Sequence, residues 1–159
     1  TSLAAGTATA ISLYQGVSIA PVTGWTVEKQ GQQMVLLVNG DKSVGLIAGA
    51  GVANTSDINQ EATFFINKDT EASGMTNVQQ GNSGQVKSIP GKNFQQMLTV
   101  GYTGNVQNNQ GTQQMYGVWA ILYSPSNQIS ALVDAFSFDS DSLDAATQDI
   151  AAMIVSMAS

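Results

Sequence analysis

"FQQMLTVGYTGNVQNNQGTQQMYGVWAILYS", Phe94 to Ser124, holds the two most regular apolar segments of the chain. Phe94–Tyr102 and Gln113–Ser124 are rich in β-branched and aromatic residues, which suit a pleated, half-buried surface. Between them "TGNVQNNQG" (103–111) is polar and carries the Gly and Asn that turn a chain back on itself. The stretch predicts two long antiparallel strands with a polar connection, and so a sheet at the centre of the fold.

Upstream, "MVLLVN" (Met34–Asn39) is a continuous apolar run, which fits a strand buried on both faces. Asn39-Gly40-Asp41 is a hairpin signal, and Ser43–Gly49 pairs back. Val17 and Ile19 alternate with small polar residues and predict a short first strand. Pro21 and Gly24 turn the chain into a second, Trp25–Lys29. A helix follows, capped by Ser56 or Thr55, with Asp57 and Glu61 near its positive end and Gly74 closing it. Its inward face is Ile58, Ala62, Phe65 and Ile66, with Ala72 on the same spacing. "NTS" (Asn54–Ser56) matches a glycosylation signal but reads as part of that cap.

Weak strands centre on Val78 and Val86. "SPSN" turns the chain into a last strand, Ile129–Phe138, and a helix runs from Asp141 to Ala158. The fold class is therefore α+β: an antiparallel sheet of about six or more strands, an amphipathic helix after the first hairpins, and a C-terminal helix packed on it, an αβα sandwich. Residues 1–13 read as a flexible lead-in downstream of a removed signal or anchor, and 14–159 as a single domain. The polar segments 79–92 and 103–111 are expected to be the most mobile.

Composition narrows the chemistry. The 159 residues carry five Lys, eleven Asp or Glu and a net charge of −6, with no Arg, His or Cys. Residues 93–159 contain no Lys and five Asp, while Gln and Asn together number 27. Nucleic acids draw their affinity from Lys and Arg on phosphates, so such a partner is not expected. Disulfides and Cys/His zinc sites are impossible. No run of about 18 apolar residues occurs, so the segment does not insert into a membrane. Low charge with high Asn, Gln, Ser and Thr leans towards a secreted or envelope-bound protein.

"FDSDSLDAATQD" (Phe138–Asp149) places four aspartates in twelve residues. A calcium loop wraps six to eight oxygens around the ion and turns on a glycine, which this stretch lacks. The helix reading accounts for every residue: Asp141 or a neighbour caps, Asp144 lies in the first turn, and Asp149 faces solvent. Leu143, Ile150, Met153, Ile154 and Met157 form the apolar face, whose burial would contribute about 8–15 kcal/mol gross.

Without His or Cys, Ser–His and Cys–His nucleophiles are excluded. Neither an S-x-x-K pair nor a G-x-S-x-G elbow occurs. Tyr102, Tyr116, Trp119 and Tyr123 lie on the two long strands, with Tyr116 on the face opposite Trp119 and Tyr123. Trp25 and Trp119 are expected in the core, and no catalytic, cofactor-binding or metal-binding residue is assigned.

"GVSIAPVTGWTVEK" (Gly16–Lys29) resembles the opening of PsbP-like domains and of related actinobacterial secreted or lipid-anchored proteins: a short strand, a Pro, and a Gly-Trp pair entering a second strand. By element order the resemblance covers residues 14–157. It implies an αβα sandwich in a family that includes photosystem extrinsic subunits, Ran-binding proteins and envelope proteins, with no shared catalytic set. The expected function is a non-catalytic binding or scaffold module of the bacterial cell envelope or extracellular space. Its partner is an unknown protein or small ligand, and it needs no cofactor. The alternatives are a cofactor-free hydrolase using acidic residues and a calcium-dependent binding domain.

Overall fold

A computed structural model describes residues 10–159, apart from the side chains of residues 82 and 83. The expected lead-in lies outside the described residues as far as residue 9. Its last residues are already strand: β1 (Ile11–Tyr14) forms a hairpin with β2 (Val17–Ile19). Gln15 and Gly16 make that turn with φ of 35° and 88°, the left-handed pair of a tight hairpin.

The main sheet has eight strands: β3 (Thr26–Gln30), β4 (Met34–Val38), β5 (Val44–Val52), β6 (Thr76–Ser83), β7 (Lys87–Ser88), β8 (Gln96–Asn108), β9 (Gly111–Ser124) and β10 (Ile129–Ser137). Their order is β3-β4-β5-β10-β9-β8-β6, all antiparallel, with β7 also on β8. Helix α1 (Ile58–Ser73) follows β5, and α2 (Ser140–Ala145) and α3 (Thr147–Ala158) close the chain.

The αβα sandwich stands. α1 lies over β8 and β9 on one face, with Ile58, Ala62 and Ile66 against Leu98, Val100, Trp119 and Ile121. On the other face Ile150, Met153 and Met157 of α3 join Val17, Ile19, Leu37, Leu46, Leu122 and Val133. The two tryptophans are both buried, and each ties a helix to its face of the sheet. Trp119 Nε1 donates to Asp69 Oδ2 of α1 at 2.8 Å, and Trp25 Nε1 to Asp149 Oδ2 of α3 at 3.1 Å.

Several expectations need correction. "TGNVQNNQG" is not a loop: the β8–β9 ladder pairs Thr103 with Tyr116 and continues to Asn108 with Gly111, leaving a two-residue turn. Cross-strand pairing satisfies the backbone there, so polar side chains do not prevent strand formation. β6 extends to Ser83, while Val86 lies outside any strand. The cap of α1 is Asp57, not Ser56 or Thr55, and Ala72 is exposed because the helix is leaving the sheet by then. The C-terminal helix is two helices, broken at Ala146; the neighbour of Asp141 that caps it is Asp139, and the acid in the first turn is Asp141, not Asp144. Asp149 does not point to solvent, because the Trp25 indole holds it.

Candidate functional site

The apolar run of β4 predicts burial on both faces, but only one is covered. Val35 and Leu37 are fully buried towards α3, whereas Met34, Leu36 and Val38 are half-exposed on the α1 face. Register carries the surface across the sheet. Leu36 pairs with Ile47 of β5, and Gly49 of β5 pairs with both Met34 and Leu132 of β10. Since α1 sits over β8 and β9 and bonds Ser130 of β10 through Glu61, the β3-β4-β5 part of this face has no helical layer, and β10 borders it. A hollow of about 460 Å³ lies between Met34, Ile47, Gly49, Leu132 and Phe65 of α1. A second of about 300 Å³ lies between Leu36, Val38, Gly45, Phe136 and Phe138, and Phe138 is 48% exposed.

The sheet edges offer less. β3 is bulged between Val27 and Lys29, and β6 is bulged twice. Bulges and edge charges such as Glu28 and Lys29 are devices that prevent another strand from adding.

Strand β10 borders the open half. Its α1-facing residues are Ser130, Leu132, Asp134 and Phe136, and Leu132 and Phe136 face the hollows. Asp134 is 3% exposed, accepts the Tyr102 hydroxyl at 2.5 Å and shares a hydrogen bond with the Asp69 carboxyl of α1. Burial pushes the Asp134 carboxyl well above its usual range, Asp69 pushes it further, and the Tyr102 hydroxyl opposes them only in part. Asp134 therefore holds its proton to higher pH than an exposed carboxyl does. Burial, and after it the neighbouring Asp134 carboxyl, raise the Tyr102 phenol above the ordinary tyrosine range.

Tyr102 reaches Asp134 across β9 because its cross-strand partner is Gly117. A Cβ there would sit 2.3 Å from the Tyr102 ring. The ring stacks on Trp119 with centroids 3.8 Å apart.

At the other end of β10, Ser130 donates to Glu61 at 2.5 Å. Glu61 is fully buried and also accepts from the Asn54 and Thr55 backbone N–H groups and the Thr55 hydroxyl. Burial alone would raise this carboxyl, but the bonds from Ser130, Asn54 and Thr55 together outweigh it and hold it below its usual range. The "NTS" segment is thus tied down by a glutamate one turn into the helix.

Glycoside hydrolysis needs its two carboxyls about 5–9.5 Å apart with the sugar between them, whereas Asp69 and Asp134 are hydrogen-bonded to each other beneath α1. The 139–144 aspartates do not converge. Asp139 Oδ1 accepts from the Asp141 N–H at 3.4 Å and Oδ2 from the Ser142 hydroxyl at 2.8 Å. Among the described residues no three Asp or Glu side chains are grouped to hold an ion. No helix of the described residues is long and apolar enough to cross a membrane.

No protein-family model and no curated protein sequence matches this chain. Solved structures do. The Saccharomyces cerevisiae Ran-binding protein Mog1p is similar over 89% of this chain and 82% of its own, with 14% identity and a TM-score of 0.59. A point variant of the protein Mog1 is similar over 92% of both chains at 13% identity, TM-score 0.62. The cyanobacterial PsbP of Synechocystis sp. PCC 6803 is similar over 89% of this chain and 85% of its own at 12% identity, TM-score 0.59. The fold is that of PsbP and Mog1.

Proposed function

We propose that this protein is a non-catalytic binding module that receives an amphipathic helix of a partner protein on the open half of its sheet. One observation carries the reading: an apolar strip from Met34 through Ile47 to Leu132, lying where the sandwich has no second helix. Contiguous exposed apolar surface marks interaction sites. From β3 to the bordering strand β10 the open surface measures about 14 Å across at ~4.8 Å spacing, room for one helix of about 10 Å diameter. Helices dock in such grooves through apolar residues at i, i+3, i+4 and i+7. The net charge of −6 favours a helix whose polar side is basic. That a structural neighbour is a Ran-binding protein by name supports a protein partner rather than a reaction.

The proposed setting is the bacterial cell envelope or the extracellular space. It rests on the low charge and high Asn, Gln, Ser and Thr content and on the resemblance of Gly16–Lys29 to actinobacterial envelope proteins. Fractionation of the source cells checks it, and a purely cytosolic protein contradicts it.

The docking reading is tested with a fluorescent Leu/Lys amphipathic helical peptide. The reading expects saturable binding that Leu36→Asp weakens at least tenfold. Equal affinity for the variant overturns it, and so does concentration-dependent dimerisation lost in Leu36→Asp, which would make a second copy the occupant.

A further inference from the structure

The β5 sequence "VGLIAGAGV" (Val44–Val52) spaces its glycines by the strand period. Gly45, Ile47, Gly49 and Gly51 share one face. Gly51 pairs with Ser130, which bonds Glu61 of α1, so this is the α1 side of the sheet. Glycine inside a strand weakens it and marks places where a ligand or another backbone comes close. Sheet stability alone would not select three of them on one uncovered surface.

Cross-strand register turns these glycines into a relief of three rows. Met34, Gly49 and Leu132 form the first, Leu36, Ile47 and Asp134 the second, and Val38, Gly45 and Phe136 the third. The first and third are low at their centres. A Cβ on Gly49 would have as nearest neighbours the Gln33 carbonyl oxygen at 3.1 Å and Met34 Cβ at 3.6 Å, and the hollow of about 460 Å³ opens there. At Gly45 the tip of the Phe136 ring takes the place of a side chain, 2.7 Å from where a Cβ would sit, and floors the hollow of about 300 Å³. Between them stand Ile47 and Leu36, both half-exposed. Ile47 walls the first hollow and Leu36 the second. From Gly49 to Gly45 the strand advances about 13 Å at ~3.3 Å per residue.

We propose that the partner helix carries two large apolar side chains at i and i+8 with a small residue at i+4 between them. The large ones enter the two hollows, and the small one crosses the ridge of Ile47 and Leu36. Eight residues of helix advance about 12 Å at ~1.5 Å per residue, which matches the spacing of the hollows to within the reach of a side chain. The row i, i+4, i+8 is one of the natural ridges of a helix surface. A large residue at i+4 would meet the sheet's own ridge and lift the helix from both hollows. This pattern rests on the docking reading above and adds to it the spacing of the partner's anchors.

Two Lys-rich helical peptides test it, each locked by a lactam bridge on its polar side. One carries Leu, Ala and Leu at i, i+4 and i+8, and the other carries Leu at all three. Apolar area alone makes the all-Leu peptide the tighter ligand. The ridge reverses that order: by fluorescence anisotropy the Leu-Ala-Leu peptide should bind the parent protein about fivefold tighter, since overpacking is unfavourable. Ile47→Ala, at a half-exposed position, lowers the ridge, and the all-Leu peptide should then become the tighter of the two. Equal or tighter binding of the all-Leu peptide to the parent overturns the pattern, and so does an unchanged order in Ile47→Ala. In either case, binding that Leu36→Asp weakens would leave the docking reading standing. Binding of neither peptide, or dimerisation of the protein through this face, overturns both.

Discussion

The Tyr102 hydroxyl on β8 donates to Asp134 Oδ1 on β10 at 2.5 Å, passing over the intervening strand β9. The bond lies under α1, whose Asp69 completes the pair.

Asp134 holds its proton more tightly folded than unfolded. The stability it confers is complete below the unfolded carboxyl range and falls as pH rises through the raised folded value. Unfolding free energy measured by urea from about pH 5 to about pH 9 should decline accordingly. Asp134→Asn keeps an acceptor for Tyr102 and a donor for Asp69 without the titration. It should abolish the decline and leave the variant more stable than the parent at alkaline pH. A parallel decline in both proteins would refute the assignment.

Glu61 acts in the opposite sense. Its folded value is depressed, so its contribution is present above the unfolded carboxyl range and lost as pH falls through the folded value. Glu61→Gln should cost about 1–3 kcal/mol near neutrality by leaving buried donors poorly matched. The cost should vanish in acid. A cost that persists undiminished in acid would mean that the charge of Glu61 plays no part in it.

Gly117 lets Tyr102 lie flat. Gly117→Ala should cost about 1–3 kcal/mol, as overpacking does. In combination with Tyr102→Ala the two costs should be less than additive, since the second change removes the ring that the new methyl meets. Strict additivity in a double-mutant cycle would show that the contact is relieved some other way.

Capping of α2 is checked with calcium present and with chelator. Asp139→Ala should lower stability by about 1 kcal/mol in both, whereas Asp141→Ala should stay within about 0.5 kcal/mol. Asp139 bonds the first turn, and Asp141 only contributes an N–H to it. A calcium-dependent rise in the melting temperature that Asp139→Asn removes would instead make these aspartates ligands.

Much of this architecture is legible in the residues. Period-two patterning and flanking turns identify the strands from Phe94 to Ser124, and apolar spacing finds both helical regions. The buried acids are partly legible: Glu61 and Asp69 fall on the stripe 58-61-62-65-66-69, so two carboxylates on an apolar helix face mark a buried network. Asp134 is less so. Alternation puts it on one face with Leu132 and Phe136, but does not tell which part of that face α1 covers. The same ambiguity hides the open surface, since Leu36 and Leu37 look alike and only the position of α1 separates them. The Trp25–Asp149 bond spans 124 residues and has no local signal at all.

The docking claim is tested most directly by mapping the contact residue by residue. A ¹⁵N- and methyl-labelled sample is titrated with a Leu/Lys amphipathic peptide of about 18 residues, some 27 Å of helix. Saturable shifts are expected to be confined to Met34, Leu36, Val38, Ile47, Leu132 and Phe136, with Phe65 of α1 at the margin, and all to be abolished by Leu36→Asp. Shifts that gather instead along the β3 or β6 edge, or that leave β4 and β10 unmoved at saturation, would contradict it.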